Sequence, residues 1–303
     1  MPLISFIVPY HNEPAEMLRE CLGSIVRSTE SIEAEIIVVD DGSDHSPIEV
    51  VEGMSARIVL LRQPAEGLSA ARNRGIQKAT GRYLQFVDSD DELIPSAYAS
   101  VLRIIAEKET SPECCAPDVL LFQFTRRKKD VCMDAPECRI LWNGSGTDFL
   151  QHRNLRAAAC SYVFRRELLS DLIFCPGIYH EDELFTPQLF LRAQRVCEVD
   201  AEAYYYRLRE GSIITANQHG KVCKRLDDAF YVVTRLKALD DVRLERRIAQ
   251  LTMDILYNVV RQTRSPREFL RYRRRLVEAG LYPLPLRCYT KKYYLFALLS
   301  HLL

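Results

Sequence analysis

None of the ten cysteines pairs with another in a CxxC spacing, which argues against a zinc ribbon. No uninterrupted apolar stretch is long enough to span a bilayer. There is no internal repeat, no low-complexity linker and no net charge, with 41 basic residues against 41 acidic ones. The first apolar run reaches only to Pro9 and lacks the basic start and cleavage site of a signal peptide. The cysteines are irregularly spaced and several sit in apolar runs, so free thiols in a reducing, cytoplasmic compartment are expected. Hydrophobic content of 48% and charged content of 27% exclude a disordered chain, a collagen and a polytopic membrane protein. A chain of 303 residues can bury about three quarters of its unfolded surface, ample for one large α/β domain or two smaller ones.

The neutral total hides an asymmetry. Residues 221–303 carry 18 Lys/Arg and 8 Asp/Glu, which leaves the first 220 residues acidic by the same margin. The acidic part suggests a metal or cationic site. The basic part suggests either an anionic partner, such as a phosphate group or a membrane surface, or a solvated helix face.

The first hundred residues alternate between two patterns. Leu3–Val8, Glu35–Val39, Arg57–Leu61 and Tyr83–Val87 are short, continuous apolar runs that predict strands. Glu13–Ile25, Leu68–Ala79 and Ser96–Ala106 have helical spacing, the last opened by Pro95. Such alternation predicts a mostly parallel sheet with helices on both faces, its ligands beyond the carboxyl ends of the strands. The polar clusters collect there: His11-Asn12, Asp40-Asp41 and Asp88 to Asp91. Later segments read as mixed or antiparallel strands at the sheet edge (Val119–Phe124, Arg139–Trp142, Ser161–Phe164, Ala203–Leu208). Arg126–Asp130 reads as a charged turn, and Arg166–Leu172 and Glu183–Ala193 as helices. Residues 221–303 read as helical, over Asp227–Leu239, Val242–Arg261 and Pro266–Ala279, with a break at Pro283 and Pro285. They end in a basic, aromatic and apolar segment from Lys291 that suits a membrane interface or a docked terminal helix.

Asp88 and Asp90, one residue apart at a strand end, can face a divalent cation from one turn, and hard oxygen ligands suit Mg2+ or Mn2+. The competing reading is a helix cap with a solvated acidic turn. A carboxylate of Asp40-Asp41-Gly42-Ser43 could accept a hydrogen bond from a base N–H or a ribose hydroxyl, or close an Asx turn. Arg72, in the segment from Pro64 to Gly75, could contact a phosphate or a base, pair with one of these aspartates, or simply be solvated.

Four segments in this order carry a resemblance. SFIVPYHNE at 5–13, EIIVVDDGSDHS at 35–46, GLSAARNRGI at 67–76 and GRYLQFVDSDD at 81–91 resemble the family 2 glycosyltransferases with the GT-A fold. The resemblance implies a nucleotide-diphospho-sugar transferase fold over about 1–215, with a nucleotide-binding half to about 112 and an acceptor-side half over about 113–215. A helical C-terminal region would follow over 216–303. It implies that Pro9, Tyr10, Asn12, Asp40, Asp41, Arg72, Asp88, Ser89 and Asp90 hold the nucleotide-sugar. Arg72 would lie near the uracil of a UDP-sugar, and Asp88 and Asp90 would reach the metal through the diphosphate. GIYHEDELFTPQLF at 177–190 is similar to the family's acidic motif, which makes Asp182 the general base and Glu181 its neighbour. Without the upstream motifs, those acids would read as charges complementing a helix dipole. Arg207, Arg209 and Ser212 fit a loop that closes over the diphosphate or faces the acceptor.

The expected activity is inverting, metal-dependent transfer of a sugar, from a UDP-linked donor, to a hydroxyl of a cell-surface glycan or lipid-linked saccharide. The expected setting is the cytoplasm, with peripheral contact at the inner face of the plasma membrane through the basic C-terminal region. Nucleic acid is not an expected partner. The rivals are a sugar nucleotidyltransferase, which would need a basic phosphate loop that HNEPAEM lacks, and a catalytically silent nucleotide-sugar-binding scaffold.

Overall fold

The protein is a computed structural model, and the structure describes residues 1–110, 116–127, 137–208 and 219–302. Its first strand, β1 (Ile4–Tyr10), is buried along its whole length. Its side chains divide by parity, as alternation in a strand requires. Ile4, Phe6, Val8 and Tyr10 enter one core and Ile7 the opposite one. Each fully buried Ile or Phe contributes roughly 1.5–3 kcal/mol, so a run of apolar residues with no polar side is stable only with both faces covered.

The chain then alternates through α1 (Ala15–Ser28), β2 (Ala34–Asp41), α2 (Ile48–Glu52), β3 (Ile58–Gln63), α3 (Leu68–Lys78), β4 (Tyr83–Phe86), β5 (Glu92–Leu93) and α4 (Pro95–Thr110). It continues through β6 (Val119–Thr125), β7 (Ile140–Gly144), α5 (Gly146–His152), β8 (Tyr162–Arg165), α6 (Glu181–Arg192) and β9 (Val196–Tyr205). Four helices close the described chain: α7 (His219–Lys237), α8 (Glu245–Thr263), α9 (Pro266–Glu278) and α10 (Lys291–Ser300). The strands form one sheet in the order β3-β2-β1-β4-β8-β6-β9-β5, with β7 also paired to β9.

The first four strands of that order are mutually parallel, as the unbroken apolar runs predict. The later strands do not merely decorate an edge. β8 runs antiparallel to both β4 and β6, and β9 runs parallel to β6. β9 therefore points the same way as β1, β2 and β4, and its carboxyl end opens on the same side. Arg166–Leu172, expected to be helical, holds only a single short turn over Arg166–Leu168.

α1 and α4 cover one face with Leu18, Leu22, Ile25, Tyr98, Val101 and Ile105. α3 and α6 cover the other with Ala71, Phe185, Leu189 and Phe190. Gly75 allows α3 its close approach, because a Cβ there would lie 2.3 Å from Ile7 Cγ2. The second core also takes in Val232 and Leu236 from α7 and Leu244 ahead of α8, so the helical region is built onto the sheet. The seven described cysteines are free thiols.

Candidate active site

Strand parity also sorts the two aspartates that end β2. Asp41 faces α3, where Gln63 Nε2 donates to its Oδ1 at 2.8 Å, Glu66 N to Oδ1 at 2.9 Å and Gly67 N to Oδ2 at 2.8 Å. Its oxygens thus fix the loop into α3. Asp40 faces the α1 side and is fully buried. Its Oδ1 accepts from Ser43 N at 2.9 Å, while its Oδ2 has no hydrogen-bond partner and lies 3.5 Å from Arg62 Nε. A buried carboxylate oxygen without a donor is costly unless a ligand supplies one.

The loop after β1 closes over this strand end. Asn12 adopts a left-handed backbone at φ 62°. Its N–H donates to Ser43 Oγ at 3.1 Å and its Oδ1 accepts from Asp44 N at 2.9 Å. Tyr10 lies opposite Asp40 in the strand ladder, and burial, then Glu13 and Asp40, raise its phenol above its ordinary pKa. Pro9 lies within buried β1. Glu13 ties this loop to the next motif, accepting from His11 N at 2.7 Å and from Ser89 Oγ at 3.0 Å.

Arg72 is the centre of the site. It is 4% exposed, and its guanidinium lies 5.3 Å from the Phe174 ring centre and 5.7 Å from that of Phe86. It donates to Glu181 Oε1 at 2.6 Å and to Asp88 Oδ1 at 3.1 Å. Arg72 points along α3 towards the carboxyl end of β4, and its charge is taken up by two carboxylates. Those carboxylates outweigh its burial and hold it protonated. Through Arg72 the Asp88 turn is joined to the acidic start of α6, 109 residues away in sequence from Arg72.

Glu181, Asp182 and Glu183 form the first turn of α6, entered through His180 in a left-handed conformation at φ 63°. The carboxyl of Asp182 is pushed well above the ordinary carboxylate range. Burial is the largest cause, then its two glutamate neighbours, with Arg72 pulling the other way. Such an environment sharpens the basicity of a carboxylate and suits it to take a proton.

Asp91, missed as a site residue in the sequence, organises the Asp88–Asp91 turn. It accepts from Tyr204 Oη at 2.8 Å and from Arg207 N at 2.9 Å, and Asp88 N donates to Tyr204 Oη at 3.1 Å. Burial, then the charge of Asp88, pushes its carboxyl up to about 8. Its signal was the third acid of the DSDD run. Arg207, expected at the diphosphate or the acceptor, pairs with Glu20 and Glu92, both at 2.6 Å. Arg209 and Ser212 lie outside the described residues.

Asp88 and Asp90 suit a divalent cation of the kind bound by one or two carboxylates together with substrate phosphates. Asp88 is partly exposed, and Arg72 engages its Oδ1. Among the described residues no group of three His, Cys, Asp or Glu side chains is set to hold a metal by itself. The donor set therefore fits a cation shared with a bound diphosphate rather than an all-protein cage.

A profile of the family "Glycosyl transferase family 2" matches residues 5–173, more than half of the chain. The chain is similar to the uncharacterized glycosyltransferase EpsJ of Bacillus subtilis strain 168, 32% identical over 70% of this chain and 63% of EpsJ. It also resembles in fold the TarS 1–349 structure from S. aureus in complex with UDP-GlcNAc. That match has a TM-score of 0.65 and 21% identity over 93% of this chain and 81% of the other. The mannosyltransferase PcManGT of Pyrobaculum calidifontis, in complex with GDP-Man and Mn2+, matches with a TM-score of 0.57 and 15% identity, over 99% of this chain and 86% of that one. Both structural neighbours have the GT-A type of fold. With four motifs on that edge and the profile across more than half of its length, the chain belongs to glycosyl transferase family 2.

Proposed function

We propose that this protein is an inverting glycosyltransferase that moves one sugar from a UDP-linked donor to a hydroxyl of a cell-surface glycan or lipid-linked saccharide. The observation that carries the reading is the Arg72 bridge, which places the Asp88–Asp91 turn and the acidic start of α6 in one site. The unpartnered Asp40 Oδ2 is suited to accept an N–H from the nucleobase. Asp182, beside the bridge, takes the proton of the attacking hydroxyl, and attack opposite the leaving group inverts the anomeric centre. A Mg2+ or Mn2+ held by Asp88 and Asp90 would neutralise charge on the departing diphosphate. The TarS structure in complex with UDP-GlcNAc makes that donor the first to test.

The same reading takes residues to about 215 as the catalytic unit and the helices beyond as an added region. It places the protein in the cytoplasm, in peripheral contact with the inner membrane face, and gives it no nucleic-acid partner. The free thiols suit a reducing compartment. Exposed Tyr294, Leu295, Leu298 and Leu299 follow Lys291 and Lys292 on α10, a composition suited to an anionic lipid surface. No described helix is long and apolar enough to cross a membrane.

Calorimetric titration with UDP, GDP, CDP and dTDP, each with and without Mn2+, tests the donor class. Metal-dependent binding of UDP alone is the expected result. Binding of none, with no sugar transfer from UDP-GlcNAc, would favour the silent scaffold.

A further inference from the structure

The helices beyond residue 219 grip the segment around Asp182 from both sides. On α7, Asp228 Oδ2 accepts from Tyr179 N at 2.8 Å. Lys224 Nζ donates to that same oxygen at 2.7 Å and to Gly177 O at 2.9 Å. This clamp closes three residues before Asp182. On α8, Arg247 is 8% exposed; it donates to Glu183 Oε2 and, at 3.0 Å, to Leu155 O. This second clamp closes one residue after Asp182. The two flanking glutamates are thus each matched by a buried arginine from a distant element, Glu181 by Arg72 of α3 and Glu183 by Arg247 of α8.

We propose that Asp228 and Arg247 are positioning residues for the general base, so that the helical region is a working part of the transfer site. The inference rests on the glycosyltransferase reading above. Asp228 fixes where the backbone enters α6, and with it the approach of the Asp182 carboxylate to the acceptor hydroxyl. Arg247 does the same from α8 and also sets charge, because it neutralises the carboxylate next to the base. The groups facing Asp182 are Glu181 and Glu183 on its own helix, His180 before it, Arg72 from α3 and Tyr162 from β8. Behind Glu183 stand Arg247 and Asp254 of α8, and Lys292 of α10 faces Asp254.

The two clamps differ in their test. Rates of UDP release from UDP-GlcNAc, with pH profiles of kcat/KM, are compared for the wild type and for the Arg247→Met, Arg247→Lys, Asp228→Asn and Arg247→Met/Glu183→Gln variants. Arg247→Met strands an unpaired carboxylate beside the base. The acidic limb of its profile should move up by about one pH unit, and kcat should fall by about ten- to a hundredfold, with UDP affinity unchanged. Arg247→Lys should restore the limb, and adding Glu183→Gln to Arg247→Met should bring it back down. Asp228→Asn should lower kcat without moving the limb.

An unmoved limb in Arg247→Met, or one that Glu183→Gln does not reverse, overturns the inference while leaving the enzyme reading intact. Equal losses of kcat and UDP affinity overturn it as well, since they describe a merely structural brace. If Arg247→Met does not fold, Glu183→Gln alone must move the limb down and Arg247→Lys must not move it, and failure of either overturns the inference. A wild type that consumes no nucleotide-sugar overturns the enzyme reading and this inference with it.

Discussion

In the parallel half of the sheet, the residues of the candidate site sit within a few positions of a strand's carboxyl end: Asn12 after β1, Asp40 on β2, Asp88 and Asp90 after β4. In the helical region, Asp228 and Arg247 lie within α7 and α8 and meet the segment around Asp182 only through Tyr179 and Glu183. The first arrangement follows from topology, because parallel strands deliver every carboxyl end to one edge. The second depends on how two helices dock. Changes in the first region should therefore alter binding or chemistry directly, and most changes in the second should alter stability alone.

The sharpest way to break that division is Asp182→Asn, which should lower transfer by about 10²–10⁴-fold while UDP binding by calorimetry stays close to the wild type. A second effect has the opposite sign. The Asp182 carboxyl titrates above its unfolded range in the native protein, so the folded state holds the proton more tightly, and stability falls as pH rises through that window. Asparagine removes that cost, so the inactive variant should melt at a higher temperature than the wild type at neutral pH and at the same temperature in acid. The same titration requires transfer to fail as pH drops while ordinary carboxylates remain ionised. A rate that stays flat down to their range would remove Asp182 as the base.

Arg72→Met tests the bridge between the two halves of the site. It leaves Asp88 and Glu181 partly buried without their cation, a loss of about 3–5 kcal/mol, read by urea unfolding together with loss of transfer. Asp40→Asn should leave the fold intact and weaken UDP binding roughly ten- to a hundredfold, the cost of about 1.5–3 kcal/mol for a hydrogen bond to a charged group. An unchanged UDP affinity would move the nucleobase elsewhere.

Within the helical region, Tyr272 Oη of α9 donates to Asp227 of α7 at 2.9 Å. Tyr272→Phe should cost about 1 kcal/mol of stability with kcat unchanged. A change in kcat there would mean that the helical region acts on the site as a whole and not through two clamps. The smallest effect is expected on α10, where Leu295→Glu with Leu298→Glu should weaken binding to anionic liposomes without touching transfer from UDP-GlcNAc to a soluble acceptor.

The order of elements in the first hundred residues was legible because buried parallel strands leave continuous apolar runs and their ends leave acids. The short pieces were not. β5 has two residues and α2 has five, too few for periodicity to register. The place of β8 and β6 inside the sheet, rather than at an edge, depends on pairing between strands far apart in the chain. Among the site residues, strand alternation separates Asp40 from Asp41 without a structure, yet which of the two keeps a free oxygen depends on Glu66 and Gly67 arriving beside Asp41. Arg207 and Arg72 show the same limit, since a lone arginine in a motif says nothing about which carboxylates will reach it.

The sequence by itself determined the family, through its four motifs, and the parallel half of the sheet with the acids at its strand ends, through local hydrophobic pattern and the edge that parallel strands must share. Only the tertiary structure decided which acid keeps an oxygen without a hydrogen bond, which arginine bridges and which helix residues hold the segment around Asp182. Those outcomes depend on pairing charges in a buried space, where each carboxylate takes the cation that the fold brings within reach, whatever its distance along the chain.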